Sequence, residues 1–460
     1  VPVALLLALV ACAPEPAPPV VPQAPTAPAA PAPERALSGV PTLVAPPGVW
    51  GERAAQVAGV LLARAEKAPG GGWRWPVVGE DGRTDYPLAA YEGQAGVLLF
   101  LAELHRAAPQ PLLAQALAEG GKALEASLAA QRSLDTGLYS GWAGVGATAL
   151  ALDAALGDAS WREQARQAGA RVEPAQDFML DVISGAAGQG LFLLALHART
   201  GEARWLTAAR AHGDWLLRQG VAADGGTAVG GTAWPMAVRS ELVYTGLSHG
   251  TAGVGYFLAH LARAVGAAAG DGAGAEGAAE AARPYREGAE AAARHLRAVA
   301  RQTDGQVAWH RRAPDQLDRE QDQWCHGPAG IGHFFLALHA LTRAEEDLAW
   351  ARKSGEATAA HGARLGACLC HGNPGNAALF LALHRATGEP LWRARAEAFA
   401  AATWSGRTPG RDGLPSWPSV DGSPTGAHNP GLLVGGAGVG HLLLRLDREA
   451  TPDFPLLGGP

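Results

Sequence analysis

Apolar residues in this chain gather into short runs that are hydrophobic on nearly every side. Leu191-Phe-Leu-Leu-Ala-Leu-His197 and Phe334-Phe-Leu-Ala-Leu-His339 are two of them. A helix apolar all round has to be buried. Between these runs lie stretches with one polar face, such as Trp205–Arg218, Pro284–Arg301 and Trp392–Trp404. These are predicted outer helices laid against buried inner ones. Sustained period-two alternation is confined to short linkers, so strands contribute little. The pattern predicts an all-α fold.

The buried runs recur. Each follows a Gly-punctuated turn: Glu92-Gly-Gln-Ala-Gly96, Ser140-Gly-Trp-Ala-Gly144, Ser184-Gly-Ala-Ala-Gly188, His249-Gly-Thr-Ala-Gly253, His326-Gly-Pro-Ala-Gly330, His371-Gly-Asn-Pro-Gly375 and Val434-Gly-Gly-Ala-Gly438. The last glycines are 48, 44, 65, 77, 45 and 63 residues apart. A step near the shortest of these fits one helical hairpin, and the Gly/Ala-rich stretch Gly266–Gly277 reads as a flexible insertion in the long fourth step. Self-similarity at this period signals a repeat architecture. Seven hairpins can close into an α/α toroid, with their turns converging on one rim. Glycine at each turn lets backbones approach closely there. In the first, second and seventh turns the glycines read as caps and packing alone.

The chain of 460 residues is nearly half apolar, enough for a sizeable core, and its net charge of −6 gives no sign of nucleic-acid binding. The start reads as a targeting segment. Val3–Ala11 is apolar but too short to span a bilayer. It leads into Leu9-Val10-Ala11-Cys12, which resembles a bacterial lipobox. On this reading residues 1–11 are a signal peptide, Cys12 is acylated, and the protein is exported and lipid-anchored to the cell envelope. Residues 13–47 hold 12 of the 33 prolines. They form a semi-rigid spacer that reaches up to about 100 Å. The folded domain is expected over residues 48–450, with a tail at 451–460, and as a monomer.

Chemistry concentrates in two motifs, Trp324-Cys325-His326-Gly327 and Cys370-His371-Gly372. Thiolates with an imidazole suit tetrahedral zinc, and three protein ligands leave one position open, as in a catalytic site. Cys368 is a rival ligand two residues before Cys370; the adjoining His-Gly favours Cys370, which leaves Cys368 to the core. A disulfide among these cysteines is the alternative for an exported chain.

Seven Gly-rich hairpins with Trp-Cys-His-Gly and then Cys-His-Gly resemble the lanthionine synthetase C-like family over roughly residues 50–447. The resemblance implies an α/α toroid with a central Zn2+ and addition of a peptide thiol to dehydroalanine or dehydrobutyrine. It implies Cys325, Cys370 and His371 as metal ligands, His249 as the acid–base residue and Asp181 as its active-site partner. His326 is a further catalytic candidate. It stands where cyclases of the family carry Tyr and eukaryotic glutathione-binding relatives carry His. Gln321 stands where many cyclases carry Arg, with Arg319 nearby. Asp181 is also well placed simply to cap a helix. His197, His260, His333, His339, His384 and His441 lie within or at the ends of helical runs and read as structural.

Three functions compete on this reading. The first is zinc-dependent thioether formation on a thiol-containing peptide or small thiol. The second is a non-catalytic zinc-, thiol- or peptide-binding envelope lipoprotein. The third, a glycosidase-like toroid hydrolase, needs a carboxylate pair across a cleft. Asp181 has no obvious carboxylate partner beyond Glu92 and Asp322 near other turns. No P-loop, dinucleotide fingerprint or nucleophile elbow is present in the sequence.

Overall fold

A computed structural model describes residues 38–448 except 80, 132–133, 173–177, 224–229, 304, 313–320, 364–365 and 419–427. Cys12, the signal and spacer readings up to residue 37, Arg319 and the tail at 451–460 lie outside the described residues. In chain order the helices are α1 (Val49–Ala63), α2 (Gln94–Ala107), α3 (Pro111–Ala130), α4 (Trp142–Leu156), α5 (Ala159–Val172), α6 (Ala186–Thr200), α7 (Ala203–Gln219), α8 (Thr251–Val299), α9 (Pro328–Thr342), α10 (Glu345–His361), α11 (Asn373–Thr387), α12 (Pro390–Ser405) and α13 (Gly436–Leu446). Among the described residues no helix is long and apolar enough to cross a membrane.

The seven turns each open an inner helix: α2, α4, α6, the first part of α8, α9, α11 and α13. Each inner helix packs on the next, and α13 returns to α2. Helices α3, α5, α7, α10 and α12 back their inner partners, and α1 backs α13, so the first helix completes the last hairpin. The result is the α/α toroid of seven hairpins. The fourth hairpin lies within α8, whose backbone leaves helical geometry at Gly274 (φ 67°, ψ 179°). The Gly/Ala-rich stretch therefore forms helix on either side of a break at Gly274, which turns the fourth hairpin, rather than a long inserted loop. Among the described residues, five short antiparallel two-stranded ladders occupy linkers after outer helices.

Ring closure is fixed by buried polar groups. The Asp447 carboxylate accepts from the Trp50 and Gly51 amides at 2.9 and 2.8 Å, answering donors that a helix start leaves unsatisfied. Arg445, on α13, makes a paired contact with Glu103 on α2 at 3.0 Å. Outer helices are ended in a repeated way. The indoles of Trp75, Trp234 and Trp309 donate to the carbonyls of Leu61, Leu216 and Leu296 at 3.0, 2.7 and 2.8 Å. Tyr139 and Trp324 meet edge to face, 6.1 Å between centroids. They come from the second and fifth repeats, so this buried contact joins opposite sides of the ring.

The histidines on helical runs take the structural roles expected. Nδ1 of His197, His339 and His384 donates to the carbonyl five residues on, at 3.0, 2.9 and 2.9 Å, closing the turn into the outer helix. His260, His333 and His441 are pushed down to about 4 by burial, which disfavours their charged form.

Candidate metal centre at the toroid rim

Each turn wraps over the start of its inner helix, and the main chain does most of this work. In the first repeat the amide of Gln94 donates to the carbonyl of Pro87 at 2.9 Å; the equivalent bond recurs from Trp142, Ala186, Thr251, Asn373 and Gly436. Pro328 stands at that position in the fifth repeat and has no N–H to give. The loop lies so close that a Cβ on Gly93 would collide with the carbonyl of Pro87, and one on Gly96 with that of Ala90. The glycine pair in every other turn meets the same obstruction, so the spacing read from sequence has a steric cause.

The seven turns are joined edge to edge by a closed circle of backbone hydrogen bonds. Tyr91 donates to Tyr139, Tyr139 to Ile183, Val182 to Ser248, Ser248 to Cys325, Cys325 to Cys370, Cys370 to Leu433, and Leu433 back to Tyr91, at 2.8–3.2 Å. Tyr91, Tyr139, Ile183, Ser248, Cys325, Cys370 and Leu433 thus hold one equivalent place, the ring position. The next residue in each turn, the rim position, is Glu92, Ser140, Ser184, His249, His326, His371 or Val434. Side chains at these two positions are the ones this backbone presents at the rim.

Cys325 and Cys370 are neighbours on that circle, and with His371 they form a cluster whose donor atoms lie within 4.8 Å of one another. Both cysteines are buried, and Cys325, Cys368 and Cys370 are all free thiols, so the disulfide alternative is not realised. The Tyr91 hydroxyl donates to Cys370 Sγ at 3.1 Å, and Gln323 Oε1 lies 3.5 Å from Cys325 Sγ. The hydrogen bond from Cys325 lowers Cys370 to about 5, with His371 and Tyr91 adding to the effect. That same bond, together with burial, pushes Cys325 well up. Hydrogen bonds to Cys368 and then to Cys370 raise His371 to about 10. These shifts favour negative charge on Cys370 and positive charge on His371. Two soft thiol donors and one imidazole, already stabilising an anion, fit zinc.

On the neighbouring turns stands a second arrangement. His249 Nδ1 lies 2.7 Å from Asp181 Oδ2. The other carboxylate oxygen of Asp181 accepts from the Ser184 and Gly185 amides at 2.7 and 3.0 Å. One oxygen of Asp181 thus holds the turn before α6, and the other holds His249. Asp181 is 2% exposed. Burial works against the charged form of His249, but the bond to Asp181 and the charges of Asp181 and Cys370 outweigh it, so its pKa is raised. Nδ1 is committed to Asp181, which leaves Nε2 for a ligand. His326 lies between the two arrangements in sequence of turns. Its ring stacks on His249 at 5.8 Å and meets Tyr244 at 5.6 Å.

The sequence reading named His249, Asp181, His326, Cys325, Cys370 and His371, and these fall on four consecutive turns. It missed Tyr91, Gln323 and Tyr244. Tyr91 was findable: it occupies the first repeat's ring position, the place that Cys325 and Cys370 hold later. Glu92 is exposed at its own turn, and Asp322 pairs with His361 at 2.8 Å, so neither joins Asp181 in a carboxylate pair. A cleft of about 670 Å³ on the outer wall, lined by Arg286, Glu290, Arg297 and Asp347, lies apart from this centre. Its charges are paired among themselves.

A closed helical toroid with a thiol–imidazole cluster on its rim defines the class. The chain belongs to the lanthionine synthetase C-like family, whose model matches residues 84–457. Among solved structures it is similar to nisin cyclase, at 18% identity and a TM-score of 0.60 over 81% of this chain and 93% of that one. It is also similar to an alpha-1,6-mannanase from Salegentibacter sp., at 12% identity and a TM-score of 0.48 over 87% of this chain and 98% of that one. The first of these likenesses agrees with the toroid fold.

Proposed function

We propose that this protein is a zinc-dependent thioether-forming enzyme that adds a thiol to a dehydroamino acid in a peptide. The observation that carries the reading is the placing of two unlike arrangements on adjacent turns: the Cys325–Cys370–His371 donor cluster and the His249–Asp181 pair. Cys325, Cys370 and His371 would hold zinc, which supplies a site where a substrate thiol loses its proton near neutral pH.

The rest of the chemistry belongs to the chain. Sulfur adds to the β-carbon of the unsaturated residue, the C=C π pair moves to the α-carbon, and an enolate forms. His249 delivers a proton from Nε2 to that carbon. Asp181 fixes the ring's tautomer and keeps it charged enough to be the donor. The proton lost by the thiol balances the one His249 gives, and His249 is recharged from solvent. His326 stacks beside His249 and walls the reacting groups on that side.

The test combines metal analysis with turnover of a small thiol and a dehydroalanine peptide, followed by mass spectrometry. One zinc per chain, a thioether adduct, and a His249→Asn variant that keeps zinc but loses turnover are expected. A protein purified without zinc, or His249→Asn turning over undiminished, would sink the reading. Zinc and bound thiol with no adduct would make it a thiol-binding protein instead.

A further inference from the structure

Five of the seven ring-position residues carry a functional group: Tyr91, Tyr139, Ser248, Cys325 and Cys370. Two of these five serve the scaffold. Ser248 Oγ donates to the carbonyl of Cys325 at 2.9 Å, and Tyr139 is fully buried against Trp324. Tyr91 is different. It is half-buried, and its hydroxyl donates to Cys370 Sγ at 3.1 Å. The two residues stand two steps apart on the backbone circle, with Leu433 between them. Spanning that gap takes a long side chain with a donor at its tip. The main chain of Cys370 is already held on both sides: its amide donates to Leu433 at 2.9 Å and its carbonyl accepts from Cys325 at 3.0 Å. Rotation about the Cα–Cβ bond is the freedom left to its sulfur, and the bond from Tyr91 restrains it.

A thiolate ligand has lone pairs and no hydrogen, so the one hydrogen in this contact is that of the phenol. Hydrogen bonds to a charged acceptor are the strong kind, and they draw charge off the acceptor. The proposed reaction brings a substrate thiolate and two ligand thiolates to the same electrophile, and only the first should add. We propose that Tyr91 is a positioning residue for the metal centre: its hydroxyl holds the Cys370 sulfur as a ligand and makes it a poorer nucleophile than the substrate thiol. This rests on the reading of Cys325, Cys370 and His371 as ligands.

The test is Tyr91→Phe in the full chain, which deletes one oxygen and keeps the ring. The first readout is the sulfur-to-metal charge-transfer band of the cobalt-loaded protein. A hydrogen bond lowers the energy of the sulfur electrons, so its loss should move the band to longer wavelength at unchanged intensity. The second is alkylation of the zinc-loaded protein by iodoacetamide, followed by peptide mapping. Cys370 should be modified about tenfold faster in the variant. A band that stays in place, or a Cys370 rate within about twofold of the unmodified protein, would overturn the proposal. So would a folded variant that takes up no cobalt, since Tyr91 would then be a ligand itself. The unmodified zinc protein gives a check that needs no variant to fold. Cys325 and Cys370 are 6% and 5% exposed, so access barely separates them. Cys325 should be alkylated first, and the reverse order would overturn the assignment. If the unmodified protein takes up neither metal, the ligand reading itself fails and this inference with it.

Discussion

The rim has two halves built on one backbone. The turns of the seventh, first and second repeats present Leu433-Val434, Tyr91-Glu92 and Tyr139-Ser140. The turns of the fourth, fifth and sixth present Ser248-His249, Cys325-His326 and Cys370-His371. The main-chain circle runs through both halves with hydrogen bonds of 2.8–3.2 Å. The glycines meet the same obstructions in both. What differs is two side chains per turn. The fold is thus a seven-way presentation device. The donor cluster and the His249–Asp181 pair sit on one side of it without any change in the scaffold, and this is why fold alone is weak evidence of activity.

The largest expected effect comes from exchanging the rim residue in each half. His249→Asn should lower turnover by about 10²–10⁴-fold, the usual range for removing a general acid. Glu92→Gln, at the equivalent exposed position of the first repeat, should leave turnover within about twofold. Steady-state rates with one thiol and one dehydroalanine peptide measure both. Comparable losses would mean that the inert half also touches substrate, and the division would fail.

Next is a change that should not tell the halves apart. Gly96→Ala and Gly330→Ala each force a methyl group against a backbone carbonyl, that of Ala90 or Trp324. Each should destabilise the protein by about 3 kcal/mol, because backbone cannot move aside as a side chain can. Urea unfolding measures this, and a loss confined to one half would show that the turns are not mechanically equivalent.

These glycines are also why so much was legible in the sequence. A steric requirement leaves a residue type that no other can replace, so the seven turns, the repeat length and the inner helices could all be read. Cys325, Cys370 and His371 stood out because cysteine is rare here and each precedes or follows the same glycine. Tyr91 and Gln323 did not, since tyrosine and glutamine serve many packing roles; only equivalence across turns gives them meaning. Asp181 was legible as a possible cap and by resemblance as an active-site partner, but that it holds both the turn and His249 depends on its two oxygens pointing apart. The closing of α1 onto α13 depends on contacts between the two ends of the chain, which no local pattern carries.

A finer effect lies in pH. As the proposed proton donor His249 must be protonated, and its pKa is raised above 6.5 through Asp181 against the pull of burial. Activity should therefore persist at low pH and fall as pH rises through that raised value. Asp181→Asn keeps an oxygen for Nδ1 but removes the charge. Burial then dominates, and the alkaline fall should move to lower pH, below about 6.5. The pH profile of kcat/KM with zinc content held constant would show it. A limb that stays in place would assign the titration to another group and leave Asp181 with only its turn-holding role.

The smallest effect lies in the same seven-way logic at the opposite ends of the inner helices. Helices α4, α6 and α11 each end on a left-handed glycine, Gly157, Gly201 and Gly388, with φ of 68–71°. The equivalent residue after α9 is Arg343, held at φ 58° while its amide caps the carbonyl of His339 at 2.8 Å. A side chain in that conformation costs roughly 1–2 kcal/mol. Glycine gives back part of that gain through the greater freedom of its unfolded chain. Arg343 is exposed, so little packing is lost with it. Arg343→Gly should stabilise the toroid by about 0.5–1 kcal/mol. Gly388→Arg should destabilise it by a similar amount, since it imports the strain of one repeat into another. Paired urea titrations would resolve the two signs. If both variants lost stability, the Arg343 side chain would have to hold contacts worth more than its backbone strain, and the helix ends, unlike the rim turns, would not be interchangeable.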